Sequence, residues 1–300
     1  MATLYVYVGC SASGKTTLAY ERTTGKCAYV IDSDEVREYL FGDASYQGNN
    51  EKVFSTMYNM TVDWLNDNCD VHYVATNLSS RRRIQLIKNI KKKCSNVVCK
   101  CVVVVAPVQE LYERNAARER HVPDYVIKKQ LCAFQVPYMG EGWDNIEVVS
   151  TGKNMEWVDE MWDDVKNFGN QKNPHHSLTL YEHLLECVNK IELWPMARCE
   201  TKDSKILRNS KLMAAAGLHD IGKVYTQFFD EEGIAHYYGH ENYGAYLSLC
   251  LNNDLYITQL VNYHMIFYMD AAAQKTWHAR LGDYMWDDLM RLQVADKVAH

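Results

Sequence analysis

The sequence predicts two domains of different fold class, an α/β domain with a mainly parallel sheet flanked by helices and then an all-α domain. Short apolar segments rich in β-branched residues alternate with amphipathic helical stretches through the first half of the chain. Beyond about residue 170 the strand pattern ends and helical periodicity continues alone. A length of 300 residues is sufficient for two hydrophobic cores of ordinary size.

Five segments of the first half have the composition of strands. They lie at residues 4–8, 28–31, 71–75, 97–106 and 146–149. Helical stretches lie between them, which is the arrangement that produces a mainly parallel sheet covered on both faces. Because ligand sites of such sheets lie at the carboxyl ends of the strands, we expect the functional residues directly after the strands.

A helical stretch at residues 155–168 is followed by a polar segment at 169–174 that contains Gly and Pro and predicts a linker. We place the domain boundary near residue 170, which gives domains at 1–170 and 171–300. The clearest helices of the second domain are at 180–191, 205–217, 243–251, 257–264 and 286–299. Most of the 11 histidines fall in this second domain.

Charge and composition restrict the class of partner. The net charge of −6 argues against bulk binding of nucleic acid, so a phosphate polymer would have to meet a local basic patch. The densest patch is at residues 81–83, 88 and 91–93, and a solvated helix face explains the same pattern. No apolar run approaches the roughly 20 residues that span a bilayer. Ten scattered cysteines without a CxxC pair indicate reduced thiols, so we expect a cytoplasmic protein without a membrane anchor.

The segment after the first candidate strand fits GxxxxGK[ST] in full, from Gly9 to Thr16, and a helix follows it. This strand–loop–helix context is the one in which the motif binds phosphates. Loop amides supply partial positive charge, Lys15 neutralises the β and γ oxygens, and the Thr16 hydroxyl holds Mg²⁺. The predicted binding residues for ATP or GTP with Mg²⁺ are Gly9, Ser13, Gly14, Lys15, Thr16 and Thr17.

Charged residues after the second and fourth candidate strands suit phosphoryl transfer. Asp34 and Arg37 are one helical turn apart, so one can accept the proton of an acceptor hydroxyl while the other holds a neighbouring phosphate. The alternative is an N-cap carboxylate with a surface ion pair. Arg114 and Arg118 have the spacing of one helix face, as in a lid over the nucleotide, or of a solvated charged helix. We expect catalytic roles for Lys15, Asp34, Arg37 and Arg118.

Across residues 3–150 these motifs resemble, in order and spacing, the kinase domain of phage and bacterial end-healing polynucleotide kinases. The resemblance implies that Asp34 is the general base and that Arg37 contacts the acceptor phosphate. It also implies that Thr76 and Asn77, after the third strand, bind substrate. Family members often carry aspartate before this threonine, where the present chain has alanine, so that role is absent or passes to Asp32.

The second domain carries histidines and aspartates in the spacing of a metal site. A His-Asp pair ends a small-residue helix, and imidazole with carboxylate suits Mn, Fe, Co, Ni or Zn. The candidate ligands are His183, His219, Asp220 and Asp296 for one ion, and His240 and His264 for a second. Ordinary packing explains any one of these histidines but not the whole set.

Over residues 174–300 the pattern resembles the HD phosphohydrolase superfamily, with His-His, His, HDIGK, Gly-His, His and Ala-Asp in that order. The resemblance implies that Asp220 bridges two divalent ions and that a bridging water attacks phosphorus. It further implies that Lys223 and His176 face the same pocket and hold the substrate phosphate.

Together the two resemblances imply end healing of RNA or DNA in a bacterial or phage-infected cell. The kinase would phosphorylate 5′-hydroxyl ends, and the second domain would remove 3′- or 2′-phosphates or open 2′,3′-cyclic phosphates, with a functional link to an RNA ligase. The alternative is a nucleoside-type kinase fused to an HD nucleotidase or cyclic-nucleotide phosphodiesterase. A third interpretation makes the second domain a nucleotide sensor that regulates the kinase.

Overall fold

A computed structural model describes five ranges of the chain: residues 1–24, 27–152, 155–172, 177–192 and 202–299. The chain forms two compact units. Unit 1 comprises Met1–Ile127 and Pro137–Gly152, and unit 2 comprises Lys128–Val136 and Lys153–His300. The boundary near residue 170 stays a prediction about where the functional domains divide.

Unit 1 is built on a five-stranded sheet. Its strands are β1 (Thr3–Val8), β2 (Ala28–Asp32), β3 (Asp70–Val74), β4 (Val98–Val105) and β5 (Asn145–Ser150). Their spatial order is β2-β3-β1-β4-β5, and every neighbouring pair is parallel. The central strands β1 and β4 are largely buried, as expected for strands covered on both faces. The predicted parallel sheet is confirmed.

Helices follow the strands of this sheet. They are α1 (Lys15–Thr23), α2 (Ser33–Phe41), α3 (Asn50–Asn66), α4 (Ser80–Lys93), α5 (Val108–Ala116) and α6 (Asp124–Leu131), with a 3₁₀ turn at Met139–Glu141. Asp32 caps the N-terminus of α2, since its side chain accepts from the Asp34 amide, and Asn49 caps α3 by accepting from the Lys52 amide. These caps give partners to amides that the helix leaves unpaired. The first cap fixes α2 directly at the end of β2.

Unit 2 is helical, as predicted. Its helices are α7 (Trp157–Asn167), α8 (Leu180–Glu192), α9 (Lys202–Leu218), α10 (Lys223–Thr226), α11 (His240–Asn252), α12 (Leu255–Tyr263), α13 (Ala271–Leu281) and α14 (Asp283–Val298), with a 3₁₀ helix at His264–Tyr268. Among the helices in the described part of the chain, none has the length and apolarity that a membrane crossing requires. Each cysteine of the described ranges is a free thiol.

The elements of unit 2 that were not anticipated include a hairpin and helix α13. A short antiparallel hairpin pairs β6 (Phe228–Phe229) with β7 (Ala235–His236), and strands of two residues are too short to show alternation. Helix α13 has no buried residue. Polar and small side chains share its partly buried face, so the apolar stripe by which amphipathic helices are recognised is weak.

Residues 128–136 belong to unit 2 although they precede the last strand of the sheet in the chain. The Asn262 side chain on α12 accepts from the Val136 amide at 2.9 Å and donates to the Phe134 carbonyl at 3.4 Å. Phe134 is fully buried and meets the Tyr246 ring edge-on, with 5.2 Å between ring centroids. Local sequence spacing does not reveal contacts between residues so far apart.

Candidate active sites

The loop between β1 and α1 depends on two glycines. A Cβ on Gly9 would lie 2.3 Å from the Val104 carbonyl oxygen, so only glycine fits beside β4. Gly14, with φ of 92°, directly precedes α1 and has a conformation that side chains with a Cβ rarely adopt. The Gly9 amide donates to the Thr76 carbonyl at 3.1 Å, which ties the loop to the end of β3. The remaining loop amides and the N-terminus of α1 form an arrangement that favours phosphate.

Lys15 is buried and folds back over this loop. Its Nζ donates to the Cys10 carbonyl at 2.7 Å and to the Ser13 hydroxyl at 3.5 Å. Burial, aided by the positive charge of Arg118, lowers the pKa of Lys15 to about 8. A phosphate in the loop would favour the charged amine, because an anion nearby stabilises the protonated form.

Thr16 and Asp32 form the side of the site that suits a magnesium ion. The Thr16 hydroxyl donates to Asp32 Oδ2 at 2.8 Å, while Asp32 Oδ1 accepts from the Asp34 amide at 2.7 Å. Hydroxyl and carboxylate oxygens are ligands that Mg²⁺ accepts. Thr17, the third residue of α1, is exposed. The sequence suggested Asp32 only as a substitute, and the structure places its carboxylate against the hydroxyl of the motif.

Asp34 lies between two arginines. Arg37 Nη1 donates to one carboxylate oxygen at 2.8 Å, and Arg120 Nη2 donates to the other at 3.0 Å. Arg37 Nη2 also donates to Asn50 Oδ1 at 3.0 Å, so α3 holds the guanidinium in place. The Asp34 side chain is 50% exposed. A carboxylate in this position is accessible to an acceptor from solvent.

The two predicted lid arginines do not share a helix face. Helix α5 ends at Ala116, so Arg118 lies beyond it. Arg114 donates to the hydroxyl and the carbonyl of Thr151 at 2.9 and 2.8 Å, and the Thr151 hydroxyl donates to the Ser13 carbonyl at 2.9 Å. Arg114 therefore braces the phosphate loop, and the expectation of two arginines on one helix was wrong.

The side chain of Asn115 explains where α5 ends. It donates to the Val122 carbonyl at 2.7 Å and accepts from the Val122 amide at 3.0 Å, which fixes a loop after the helix. This loop brings Arg120 to Asp34. Helical spacing predicted that Arg118 acts at the site of phosphoryl transfer and gave Arg120 no role. No local feature of the sequence distinguishes the two arginines.

Asn77 fixes the loop after β3. It has a left-handed backbone, with φ of 48°, and its side-chain amide donates to the Tyr7 carbonyl at 2.7 Å. The carbonyls of Asn77 and Leu78 both accept from Arg83 Nη1 at 2.9 Å. These contacts are structural, and substrate binding by Thr76 and Asn77 stays a prediction.

Arg83 changes the predicted basic patch. It is buried and forms a bidentate ion pair with Glu141, with N–O distances of 2.8 and 2.6 Å. The Trp143 indole donates to the same carboxylate at 2.8 Å. The exposed members of the patch are Arg81, Arg82, Lys88, Lys91, Lys92 and Lys93. Arg83 is thus a core residue.

The six predicted metal ligands lie together in unit 2. Two groups have ligand atoms within 4.8 Å of one another: His183, Cys187, His219 and Asp296 in one, and Asp220, His240 and His264 in the other. Cys187 was not predicted. Its Sγ lies 3.8 Å from His183 Nε2, and its i+4 spacing from that histidine on α8 was the available signal.

Asp220 presents one oxygen to each group. Its Oδ2 lies 3.5 Å from His183 Nε2 and 3.4 Å from His219 Nε2. Its Oδ1 lies 3.2 Å from His240 Nε2 and 3.7 Å from His264 Nε2. A carboxylate in this position is suited to bridge two ions.

Backbone carbonyls orient all four histidines. Each Nδ1 lies 2.7 or 2.8 Å from a carbonyl oxygen; the pairs are His183 with Ala299, His219 with Ala216, His240 with Tyr237, and His264 with Val261. An Nδ1–H that donates in this way leaves the Nε2 lone pair available to a metal ion. The donor set therefore fits divalent transition metals.

Glycine allows α11 to approach Asp220. A Cβ on Gly222 would lie 2.1 Å from the His240 carbonyl oxygen and 2.7 Å from the Gly244 amide nitrogen. Gly239, with φ of 81°, directly precedes α11. The glycine of the Ile-Gly-Lys sequence is therefore required for steric reasons, because the helix that carries His240 packs directly against it.

Lys223 contacts the same carboxylate. Its Nζ lies 2.6 Å from Asp220 Oδ2 and donates to Gln171 Oε1 at 2.9 Å. Burial alone would raise the pKa of Asp220, but Lys223 and His219 hold it well below its usual value. His176, the other predicted phosphate contact, lies outside the described residues, and both phosphate roles stay predictions.

Burial and neighbouring charges also shift the pKa values of two of these histidines. Burial and the neighbouring imidazoles of His219 and His240 lower the pKa of His264 to about 3, so His264 is neutral. Burial acts in the same direction on His183, but the carboxylates of Asp220 and Asp296 outweigh it and raise its pKa to about 12. A metal ion would displace that proton, because both compete for Nε2.

A cavity of about 700 Å³ opens onto the second ligand group. Its walls include Asp220, Lys223, His240, His264 and Asp296, together with Tyr237, Tyr238, Tyr268 and His236. This volume is within the range of small-ligand pockets.

Comparisons with known proteins also identify two domains in the chain. Residues 4–137 match the model of an AAA domain, and residues 175–299 match the model of an HD domain. A comparison with curated proteins finds none that matches this sequence.

Several solved structures resemble part of the chain. A putative kinase from Chloroflexus aurantiacus is 16% identical with a TM-score of 0.42, over 54% of this chain and 96% of that chain. Kti12 from Chaetomium thermophilum, in complex with ADP-AlF3, is 17% identical with a TM-score of 0.41, over 53% and 97%. A chain of the Pnkp1/Rnl/Hen1 RNA repair complex is 24% identical with a TM-score of 0.39, over 45% and 44%, so this chain spans less than half of it. These scores are too low to support an argument about function.

The family matches coincide with the two parts of the molecule that hold the phosphate loop and the His-Asp cluster. The chain therefore joins an AAA-type P-loop domain, with the parallel sheet and flanking helices of P-loop kinases, to an HD domain.

Proposed function

We propose that the chain heals broken nucleic-acid ends. Unit 1 phosphorylates a 5′-hydroxyl with ATP, and unit 2 removes a 3′- or 2′-phosphate or opens a 2′,3′-cyclic phosphate. The proposal depends mainly on the half-exposed Asp34 carboxylate between Arg37 and Arg120, in the domain that carries a complete phosphate loop. A base that is open to solvent and flanked by cations suits an acceptor that itself carries phosphates, as a polynucleotide end does.

In the proposed kinase reaction, Asp34 accepts the proton of the 5′-hydroxyl and Arg37 binds the adjacent phosphate. Lys15 and Arg118 neutralise charge on the transferred phosphoryl group. The Thr16 hydroxyl and the Asp32 carboxylate would hold Mg²⁺, which supplies charge neutralisation at the β and γ oxygens.

In the proposed hydrolytic reaction, the two ligand groups joined by Asp220 would hold divalent ions. Such ions, when bound, supply ionised water near neutral pH. Lys223 lies against Asp220 in the cavity wall, where its ammonium group is placed to bind the substrate phosphate. The 3′-hydroxyl and 5′-phosphate produced by the two units are the ends that a ligase joins, so an RNA ligase is the proposed partner activity.

A second candidate function is supported by the size of the cavity in unit 2. A volume of about 700 Å³, partly lined by tyrosines, suits a mononucleotide. The chain would then combine a nucleoside-type kinase with a nucleotidase or a cyclic-nucleotide phosphodiesterase.

The experiment that tests the proposal offers both ends at once. Purified protein receives ATP, a divalent metal (Mg²⁺, Mn²⁺, Co²⁺ or Ni²⁺) and an RNA oligonucleotide with a 5′-hydroxyl and a 3′-phosphate, and the products are weighed. The parent protein should give the 5′-phosphate, 3′-hydroxyl product, which has the same mass as the substrate, so each activity is read in the variant that lacks the other. We expect Asp220→Ala to give a product that has gained one phosphate and Lys15→Ala to give a product that has lost one. Each variant serves as the matched control for the other activity. An unchanged oligonucleotide mass in both variants, with conversion of nucleosides or mononucleotides, would favour the second candidate.

A further inference from the structure

The hairpin beside the metal cavity presents a group of aromatic rings to solvent. The ring platform, as we call it, consists of Phe228, His236 and Tyr238. We propose that the ring platform stacks against unpaired nucleobases at the 3′ end of the substrate strand. This inference rests on the proposed end-healing function, and it adds a recognition site for the strand.

The geometry of the rings suits stacking. Phe228 and His236 have centroids 5.2 Å apart at an interplanar angle of 25°, and His236 and Tyr238 have centroids 5.7 Å apart at 18°. Phe228 is 42% exposed and Tyr238 is 73% exposed. Exposed aromatic side chains stack on bases of any sequence, because every base has a π-face.

The ring platform is continuous with the proposed catalytic cavity. His236 and Tyr238 both line that cavity. The intervening Tyr237 is buried, and its carbonyl orients the metal-ligand candidate His240 at 2.8 Å. Because His240 is only four positions after His236, their Cα atoms are at most about 14 Å apart. A strand whose terminal phosphate enters the cavity therefore passes the ring platform with its last bases.

The hairpin is already ordered for this role. Asp230 Oδ2 lies 2.7 Å from His236 Nε2, and Asp230 Oδ1 accepts from the amides of Glu232 and Ile234 at 3.0 and 2.9 Å. These bonds fix the turn that joins β6 to β7. A platform that is rigid before binding loses little conformational entropy when a base stacks on it.

A cation lies in the same cavity wall as the rings. Lys297 lines the cavity together with His236, Tyr238 and the acidic Glu241. A lysine in this position suits a backbone phosphate of a single strand. The Lys172 ammonium lies 5.5 Å from the centroid of the Phe229 ring, which strand alternation places on the other face of the hairpin. The rings and their continuity with the cavity therefore carry the proposal more than charge does.

Fluorescence anisotropy tests the ring platform directly. Full-length protein, treated with chelator so that no hydrolysis occurs, is titrated against a single-stranded oligonucleotide that carries a 3′-phosphate and a dye blocking its 5′ end. A second oligonucleotide lacks the bases of its last two nucleotides. We expect Phe228→Ala/Tyr238→Ala to raise the Kd for the first oligonucleotide roughly 5- to 100-fold, the loss expected for removal of base stacking. The abasic oligonucleotide should bind both proteins equally.

Two further variants control this comparison. Phe228→Tyr/Tyr238→Phe keeps the rings and should keep the affinity. Tyr125→Ala removes a tyrosine of similar exposure, 71%, that does not line the cavity, and it should bind like the parent protein. An unchanged Kd in the alanine double variant, or an equal loss for the abasic oligonucleotide, would overturn the platform. If the parent protein does not remove the 3′-phosphate when a divalent metal ion is added, that result counts against the proposed function. The binding result still decides whether the ring platform stacks on bases.

Discussion

Asp34 is the proposed general base of unit 1. Its two carboxylate oxygens accept from Arg37 and Arg120. We expect Asp34→Asn to lower kcat for 5′ phosphorylation by about 10²–10⁴, the usual contribution of a general base, with little change in KM for ATP. Steady-state label transfer measures both constants. Asp63→Asn, at an exposed position on α3, is the control, and a loss confined to KM for ATP would contradict the assignment.

Arg83 and Glu141 form a buried pair whose removal should be costly. We expect Arg83→Met to destabilise unit 1 by about 3–5 kcal/mol, because Glu141 then stays buried without its partner. The matched control is Arg22→Met, since Arg22 forms a similar bidentate pair with Glu147 at the surface, where the expected cost is about 0–1 kcal/mol. Urea unfolding of each variant, monitored by hydrogen exchange of the backbone amides in β1 and β4, measures the difference in unfolding free energy. Equal effects of the two substitutions would show that burial does not determine how much these ion pairs contribute to the free energy of unfolding.

At the scale of elements, the contact between α10 and α11 positions one ligand. Gly222→Ala places a Cβ 2.1 Å from the His240 carbonyl, so we expect α11 to shift and metal binding to fall. The control is Gly217→Ala on α9, where a Cβ would lie 3.5 Å from Val188 Cγ2, an ordinary contact. That substitution should be neutral or stabilise by up to about 1 kcal/mol, since alanine favours a helix over glycine. Metal content per chain, measured by mass spectrometry, compares them; equal metal content would contradict the steric argument.

The elements of the fold were largely predictable, because local periodicity determines them. All five strands were recognised as β-branched apolar runs, and five helices of unit 2 were found within a few residues. The exceptions have no such pattern. Helix α13 buries none of its residues, and the segment at 128–136 is held by α12 through contacts between residues more than 100 positions apart.

The candidate sites were predictable where a motif fixes the residues. Spacing and resemblance identified the phosphate loop and the six ligand candidates that the structure brings together. Arg120 was missed because a loop fixed by Asn115, not a helix, carries it to Asp34. Arg83 was assigned to the surface because its partner Glu141 lies 58 residues away. Local spacing contains no information about either contact.

For the whole molecule, metal binding should stabilise unit 2. The ligand candidates are buried or nearly so, and they connect α8, α11, α14 and the 3₁₀ helix at His264–Tyr268 with the turn that contains His219 and Asp220. An ion that binds only the folded state adds about 2.7 kcal/mol at a hundred times its Kd. We expect chelator to lower the thermal midpoint of the helical unit and Mn²⁺ to restore it. Asp220→Ala should abolish this response, and Lys15→Ala should keep it; a response that survives Asp220→Ala would place the ion elsewhere.

The carboxylate of Asp32 has a consequence for how the two substrates of unit 1 meet. One of its oxygens accepts from the Thr16 hydroxyl on the donor side, and the other accepts from the Asp34 amide at the start of the acceptor helix. An ion that draws the first oxygen toward the nucleotide also moves the group that caps α2. In the proposed reaction, the affinity for the strand end would then be sensitive to nucleotide, and thermodynamic reciprocity would require the affinity for nucleotide to be equally sensitive to the strand end.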